Sequence, residues 1–241
     1  MIALKIILCI LFGYCIGGVN PSYIIGRLRG FDIRQRGSGN AGASNAVITM
    51  GKKVGVASAI FDILKATAAY CFAPLIFKEL VFAAEIAGAA CILGHIYPAY
   101  MKFKGGKGLA CLGGVVLGID WRFFLILLTG AILLALVTDY ICSVPIVFSI
   151  LYPLCYVWFG DSGAGLFINA HNGWWGAAIL GVASLAMLAR HIQNIKRIIN
   201  GTELHFSYLW KKNDKKKEEL ARIGQAEKDT PDQHANDEEA K

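Results

Sequence analysis

The chain has 241 residues, 56% apolar and 17% charged, with a net charge of +7. Several apolar runs approach the ~20 residues that cross a bilayer as helix, which excludes a conventional soluble core and makes an all-α, polytopic integral membrane protein the expected fold class. The charge is uneven: residues 211–241 hold eight basic and nine acidic groups, and the first 210 hold 16 basic against 8 acidic. That excess reads as membrane orientation and anionic partners, with no nucleic acid expected.

Ile2 to about Val19 is the first span, and its Gly13 and Gly17 form a GxxxG that lets a second helix approach closely. A weakly basic flank and no small-x-small cleavage site argue for a retained span, not a signal peptide. Asn20-Pro21 breaks the helix. Arg27, Arg29, Arg34 and Arg36 follow, which marks the cytoplasmic side and puts the N-terminus outside. Gly37 to Asn45 reads GSGNAGASN, with three glycines, two serines and two asparagines. These are poor residues for a helix interior and good ones for turns, caps and short-range hydrogen bonds. A binding loop is expected, a flexible linker being the plainer alternative.

Val54 to about Phe77 is the second span. It carries Asp62 and Lys65, three apart on one helical face, where they can pair. Ionisable groups inside a span usually face a bundle interior or cavity, and a structural ion pair is the expected role here. Lys78-Glu79 is a short outer turn, and Leu80 to Pro98 is the third span, with Glu85 near its outer end as an interfacial group. The next stretch, Gly94 to Ala110, reads GHIYPAYMKFKGGKGLA and interleaves Lys102, Lys104 and Lys107 with Gly105, Gly106 and Gly108. Glycines let backbone approach a ligand, N–H groups at a helix start attract anions, and lysines add point charge suited to phosphate. A phosphate site at the membrane surface is expected, against the plainer reading of a basic loop obeying the positive-inside bias.

Leu109 to Ile119 has eleven residues, too few to cross alone, and reads as a half-helix aiming its positive end at an anion. Asp120-Trp121-Arg122 is an interfacial anchor, Phe123 to Thr138 returns inward, and Asp139 to Ser143 is an inner turn. Val144 to Phe159 goes out, Gly160 to Gly173 is an outer loop without lysine or arginine, and Trp174 to Ala189 is the last of about seven spans. RHIQNIKRIINGTE follows from Arg190, with His191 and Asn194 three apart on one helix face beside Arg190 and Arg197, and with Glu203 close behind. The expected organisation is a membrane-embedded domain over 1–205 and a charged, disordered cytoplasmic tail over 206–241. The seven cysteines lie in or beside apolar runs without a CxxC pair, so neither a disulfide framework nor a metal site is expected.

Three polar, glycine-containing clusters thus meet one membrane face. GSGNAGASN, GHIYPAYMKFKGGKGLA and RHIQNIKRIINGTE resemble, in order and spacing, the three motifs of the bacterial membrane acylphosphate:glycerol-3-phosphate acyltransferase family. GFDIR over Gly30 to Arg34 and Asp62-Ile-Leu-Lys65 are similar to that family too, and the resemblance covers Met1 to about His205. It implies an all-helical enzyme of the bacterial inner membrane with its active site at the cytoplasmic face, where glycine-rich re-entrant or half-helix loops gather. The implied reaction moves a fatty acyl group from acyl phosphate to the 1-hydroxyl of sn-glycerol 3-phosphate, giving lysophosphatidic acid and phosphate, the first acylation of phospholipid synthesis. Acyl-CoA is not the direct donor and no cofactor is implied. The partners are the two substrates and the bilayer, and no protein partner is indicated. Carried over by motif, His191, Asn194 and Ser38 are catalytic. Asn40, Asn45, Lys104, Gly105, Gly106, Lys107, Gly108 and Arg190 bind substrate or phosphate, and Asp62, Lys65 and Glu203 are structural near the site.

The residues suit that chemistry. Two phosphate-bearing substrates call for lysines and bare N–H groups, and an activated donor needs no triad, only positioning and charge stabilisation. The HxxxxD pair of acyl-CoA-dependent enzymes is missing, since the only histidine with even an acid five residues on is His234, to Glu239 in the tail. Gly-Gly-Lys-Gly is not a P-loop, because Lys107 is followed by Gly108. Two positions depart from the family pattern: Ile48 stands where an arginine is usual, and the inner-turn serine could be Cys142 or Ser143. A small transporter or channel for an anionic solute, or a divergent paralogue with another acceptor, are the alternatives.

Overall fold

The computed structural model describes residues 1–160 and 173–207, and every regular element among them is helical. Residues 161–172, where most of the expected outer loop falls, and those beyond Ser207, where most of the expected tail falls, lie outside the described residues. In chain order the helices are α1 (Ile2–Gly18), α2 (Pro21–Leu28), α3 (Ala43–Met50), α4 (Lys52–Ile76), α5 (Ala83–Ile96), α6 (Leu109–Ile119), α7 (Trp121–Thr138), α8 (Ser143–Gly160) and α9 (Gly173–Ile199). The described chain forms two compact units, one of residues 1–129, 145–160 and 173–190, the other of 130–144 and 191–207.

The first unit is built around α5, which is enclosed on nearly every side. Gly13 and Gly17 of α1 do what their spacing predicts: a Cβ on either would run into the carbonyls of Ala87 or Cys91 on α5. Gly94 of α5 meets the Tyr14 carbonyl in the same way, so two helix backbones touch without side chains between them. On the far side α6 packs on α4 through Gly114, whose carbonyl accepts from Thr67 Oγ1 at 2.8 Å. Ala66, Tyr70, Ile92, Leu112, Val115 and Leu180 fill the core between these helices.

Two expectations are corrected in this unit, and one is met with an addition. Asn20-Pro21 breaks the helix as expected, α1 ending at Gly18, and a new helix starts at once. Asn20 caps the next helix by accepting from Tyr23 N at 2.9 Å, Pro21 fits its first turn, and α2 leaves at 45° to α1. The motif GSGNAGASN is not all loop, because Ala43, Ser44 and Asn45 form the first turn of α3 behind Gly42. Small polar residues are tolerated in a first turn, where backbone N–H groups lack helical partners. Glu85 is not interfacial. It is fully buried and accepts from Tyr156 OH at 2.5 Å and Tyr70 OH at 3.4 Å, so tyrosines of α8 and α4 take the place of water.

Three helices, α4, α7 and α9, are long and apolar enough to cross a bilayer alone, and the bent α1–α2 pair makes a fourth. Helix α5 has 14 residues and α6 eleven. Both sit deep inside the unit, where irregular backbone at their ends is screened from lipid by protein.

In the second unit Asp139, at φ 56°, closes the turn after α7. Its carboxylate accepts from Ser207 N at 2.6 Å and Ser207 Oγ at 2.8 Å and lies 3.1 Å from His205 Nδ1, and the His205 ring stacks on Tyr140. Ser143 Oγ donates to the Tyr140 carbonyl at 2.7 Å and sits 2.9 Å from Thr138 Oγ1, which commits that hydroxyl to the turn. Cys142 is buried.

Candidate active site

The lysine–glycine loop is a closed excursion from the end of α5. Gly105 N donates to Ile96 O at 3.0 Å and Gly106 N to His95 O at 3.1 Å, so the chain returns onto the helix it left. Between these points it turns through Lys102 and Phe103, both left-handed at φ 55° and 58°, a conformation that costs a non-glycine residue on the order of 1–3 kcal/mol. Each glycine then has a reason within the protein itself. A Cβ on Gly105 would strike the His95 carbonyl and come within 2.6 Å of Pro98 Cδ. A Cβ on Gly106 would overlap the His95 imidazole, and Gly108 has φ +91° against Ile96 and Met187. Gly108 opens α6 with no side-chain cap, so the first-turn N–H groups of α6 face outward from the loop. Lys104 is exposed and Lys107 partly so.

The first motif folds around Asn45. Its Nδ2 donates to the carbonyls of Ile33 (2.9 Å), Arg36 (2.9 Å) and Asn40 (2.7 Å), and its Oδ1 accepts from Ser38 N at 2.9 Å. The side chain is fully buried and fully engaged, so it shapes the loop. Asn40 bridges Ser38 and Gly42: its Nδ2 donates to Ser38 Oγ at 2.9 Å and its Oδ1 accepts from Gly42 N at 2.8 Å. The Ser38 hydroxyl keeps its own proton to give, because in that contact it is the acceptor. Ile48 follows on α3 and is partly exposed.

The structure joins these two loops. Ala41 N donates to Gly105 O at 3.4 Å, and Asn20 Nδ2 holds Ala41 O at 3.0 Å. Arg34 clamps the same junction by donating from Nη1 to Met101 O at 2.6 Å and Lys104 O at 3.4 Å. Asp32 fixes the guanidinium at 2.7 Å, and that hydrogen bond holds the Asp32 carboxyl below the usual carboxylate range. The Arg34 guanidinium also lies 5.0 Å from the centre of the Tyr23 ring.

Beneath the loops lies a buried charged node. Asp62 and Lys65 pair as expected, at 2.6 Å. His95 joins them, with Nδ1 3.2 Å from Lys65 Nζ and 3.4 Å from Asp62 Oδ1. Lys65 Nζ also donates to the carbonyl of Val19, at the α1–α2 break, at 2.6 Å. The polar atoms of Asp62, His95 and Cys111 lie within 4.8 Å of one another, a spacing that suits a metal ion. The Lys65 ammonium already supplies the positive charge there, and a second cation beside it would be repelled.

The third cluster is helical, because α9 continues to Ile199. His191 and Asn194 are both buried, and Asn194 Nδ2 donates to Glu203 Oε1 at 2.7 Å. Glu203 is brought back by a tight turn at Gly201 (φ +67°), with Thr202 N and Glu203 N both on Arg197 O. Arg190 lies on α9, with its Nε buried and without a hydrogen-bond partner among the described residues.

Sequence reasoning missed His95, Asn20 and Arg34 as members of this assembly. His95 and Arg34 sat inside quoted motifs, and a histidine at the head of the stretch that ends in Gly-Gly-Lys-Gly was the available signal for His95. Asn20 carried none beyond its place before proline.

The matching family model is "Glycerol-3-phosphate acyltransferase", over residues 7–201. A glycerol-3-phosphate acyltransferase of Brucella canis is 34% identical over 195 residues, covering 80% of this chain and 90% of the relative. One of Brucella anthropi is 34% identical over 203 residues, covering 84% and 94%. Among solved structures, PlsY, an integral membrane glycerol 3-phosphate acyltransferase in its glycerol 3-phosphate form, superposes with TM-score 0.71 at 29% identity, covering 85% of this chain and 96% of that one. Its lysophosphatidic acid form gives 0.69. With the family's model spanning most of its length, this chain belongs to the glycerol-3-phosphate acyltransferase family, as a multi-pass integral membrane acyltransferase.

Proposed function

We propose that the protein transfers a fatty acyl group from acyl phosphate to the 1-hydroxyl of sn-glycerol 3-phosphate, at the cytoplasmic face of a bacterial inner membrane. The observation that carries this reading is the junction of the two glycine-containing loops through Ala41 and Gly105. It ties the loop that carries Ser38 to the loop that carries Lys104, Lys107 and the N-terminus of α6, which supports a shared region of donors and positive charge suited to phosphate. The acceptor hydroxyl oxygen attacks the acyl carbonyl carbon, a new C–O ester bond forms, and the acyl–phosphate C–O bond breaks. The hydroxyl proton passes to a substrate phosphate, and inorganic phosphate leaves with the electron pair. The donor is already activated, so the protein's contribution is orientation and stabilisation of developing negative charge. In this reading His191 and Asn194 orient the acceptor and Glu203 holds Asn194 in place. The N-terminus lies outside, and the chain crosses seven times, with α5, α6 and α8 as short spans.

Purified protein given acyl phosphate and glycerol 3-phosphate forms lysophosphatidic acid and phosphate, and acyl-CoA does not replace the donor. Turnover with acyl-CoA alone would overturn the donor assignment. Acyl transfer to a different acceptor would overturn the acceptor assignment.

A further inference from the structure

We infer that His95, fixed by the Lys65–Asp62 pair, is a positioning residue for the phosphate-binding loop, and that one buried ammonium holds both loops of the site. The inference rests on the proposed reading of that loop as the phosphate site.

A simple ion pair that only stabilises the bundle would need no third member. Here the Lys65 ammonium has three N–H donors and three neighbours: Asp62 Oδ1 at 2.6 Å, Val19 O at 2.6 Å and His95 Nδ1 at 3.2 Å. Its side chain is 4% exposed, so these neighbours replace water. Two routes lead from it to the loops. Along the first, the other edge of the imidazole, at Nε2, occupies the space where a Gly106 side chain would be, and His95 O receives Gly106 N. Along the second, Val19 is followed by Asn20, which holds Ala41 O, and Ala41 N donates to Gly105 O. Both routes end on the Gly105-Gly106 backbone just before Lys107. Where the Lys65 ammonium donates to Nδ1, the ring proton sits on Nε2, the edge that faces Gly106. Tilting the ring therefore moves Gly106, and with it Lys107 and the start of α6.

Breaking a buried charge pair is strongly destabilising, so the test uses His95→Gln, which leaves the pair intact and keeps polar atoms in the side chain. The readout is the inhibition constant of inorganic phosphate against turnover, a quantity independent of how much of the preparation is active. Glu85→Gln, in the same unit and held by the hydroxyls of Tyr70 and Tyr156, is the control for general loosening of the bundle. The expected result is a phosphate inhibition constant about tenfold higher in His95→Gln and unchanged in Glu85→Gln. An unchanged constant in His95→Gln, or an equal rise in both variants, overturns the inference. Should the glutamine variant not accumulate, His95→Asn is read by the same criterion. Wild-type protein that turns over both substrates yet is not inhibited by phosphate also overturns it, while leaving the reaction standing. Wild-type protein that forms no lysophosphatidic acid overturns the underlying reading instead.

Discussion

Gly105 and Gly106 are enclosed by the chain's own atoms, whereas Lys107 is partly exposed, and their substitutions separate accordingly. Gly105→Ala pushes a methyl group into the His95 carbonyl, so it loses on the order of 1–3 kcal/mol of stability, seen as a lower Tm in detergent, before any effect on substrate. Lys107→Ala raises KM for a phosphate-bearing substrate, because a phosphate held alike in ground and transition states is lost as uniform binding. His191→Ala lowers kcat, but the rising limb of its pH profile stays near pH ~6, set by the second ionisation of substrate phosphate. Disappearance of that limb in the variant would show that His191 itself carries the proton. Asp32 gives the pH dependence of stability. Its carboxyl is held below the ordinary value by the hydrogen bond from Arg34, so its contribution is complete above about pH 4 and fades as pH falls through the lowered folded value. The Tm gap between wild type and Asp32→Asn is therefore open near neutral pH and closes in acid. Ile48→Arg leaves activity equal or higher where a phosphate contact has been lost, and a large loss in folded protein shows a differently built pocket.

At the scale of elements, the sequence was readable wherever one periodicity or one breaker decided the outcome. The GxxxG of α1 predicted a close helix contact and α5 provides it; eleven apolar residues after Gly108 predicted a short helix, and α6 is that helix. Legibility failed where a second element decides the local structure. Helix α2, which starts directly after the expected break, was not foreseen because Asn20 caps it, and α3 begins inside a glycine-rich motif because Asn45 is tied to carbonyls 12, 9 and 5 residues earlier. The Asp62–Lys65 pair could be seen as an i,i+3 neighbour, but its bonds to Val19 and His95 span 46 and 30 residues and left no local trace. Glu85 looked interfacial because the tyrosines that satisfy it come from α4 and α8. In the third cluster Glu203→Ala removes an acceptor of Asn194 Nδ2 and costs about 1–3 kcal/mol as that buried hydrogen bond is lost. Glu203→Gln keeps an oxygen there and retains most of that stability, measured by thermal unfolding of the two variants side by side.

For the whole molecule, the seven-crossing reading puts Lys53 and Lys102 on one face of the membrane and Lys78 on the other, and all three are exposed. Single cysteines at these positions, with Cys15 and Cys71 replaced, label from opposite sides with a membrane-impermeant reagent; modification of Lys78→Cys together with Lys102→Cys from one side breaks that topology. The loop that closes onto the end of α5 has a bearing on how such chains are sorted by descent. Because Gly105 and Gly106 are demanded by the His95 carbonyl and ring, a gene copy that has ceased to catalyse yet still folds would keep the double glycine and go on looking like an enzyme. In a survey of genomes, retention of Gly-Gly would report an intact scaffold and not, by itself, a working enzyme.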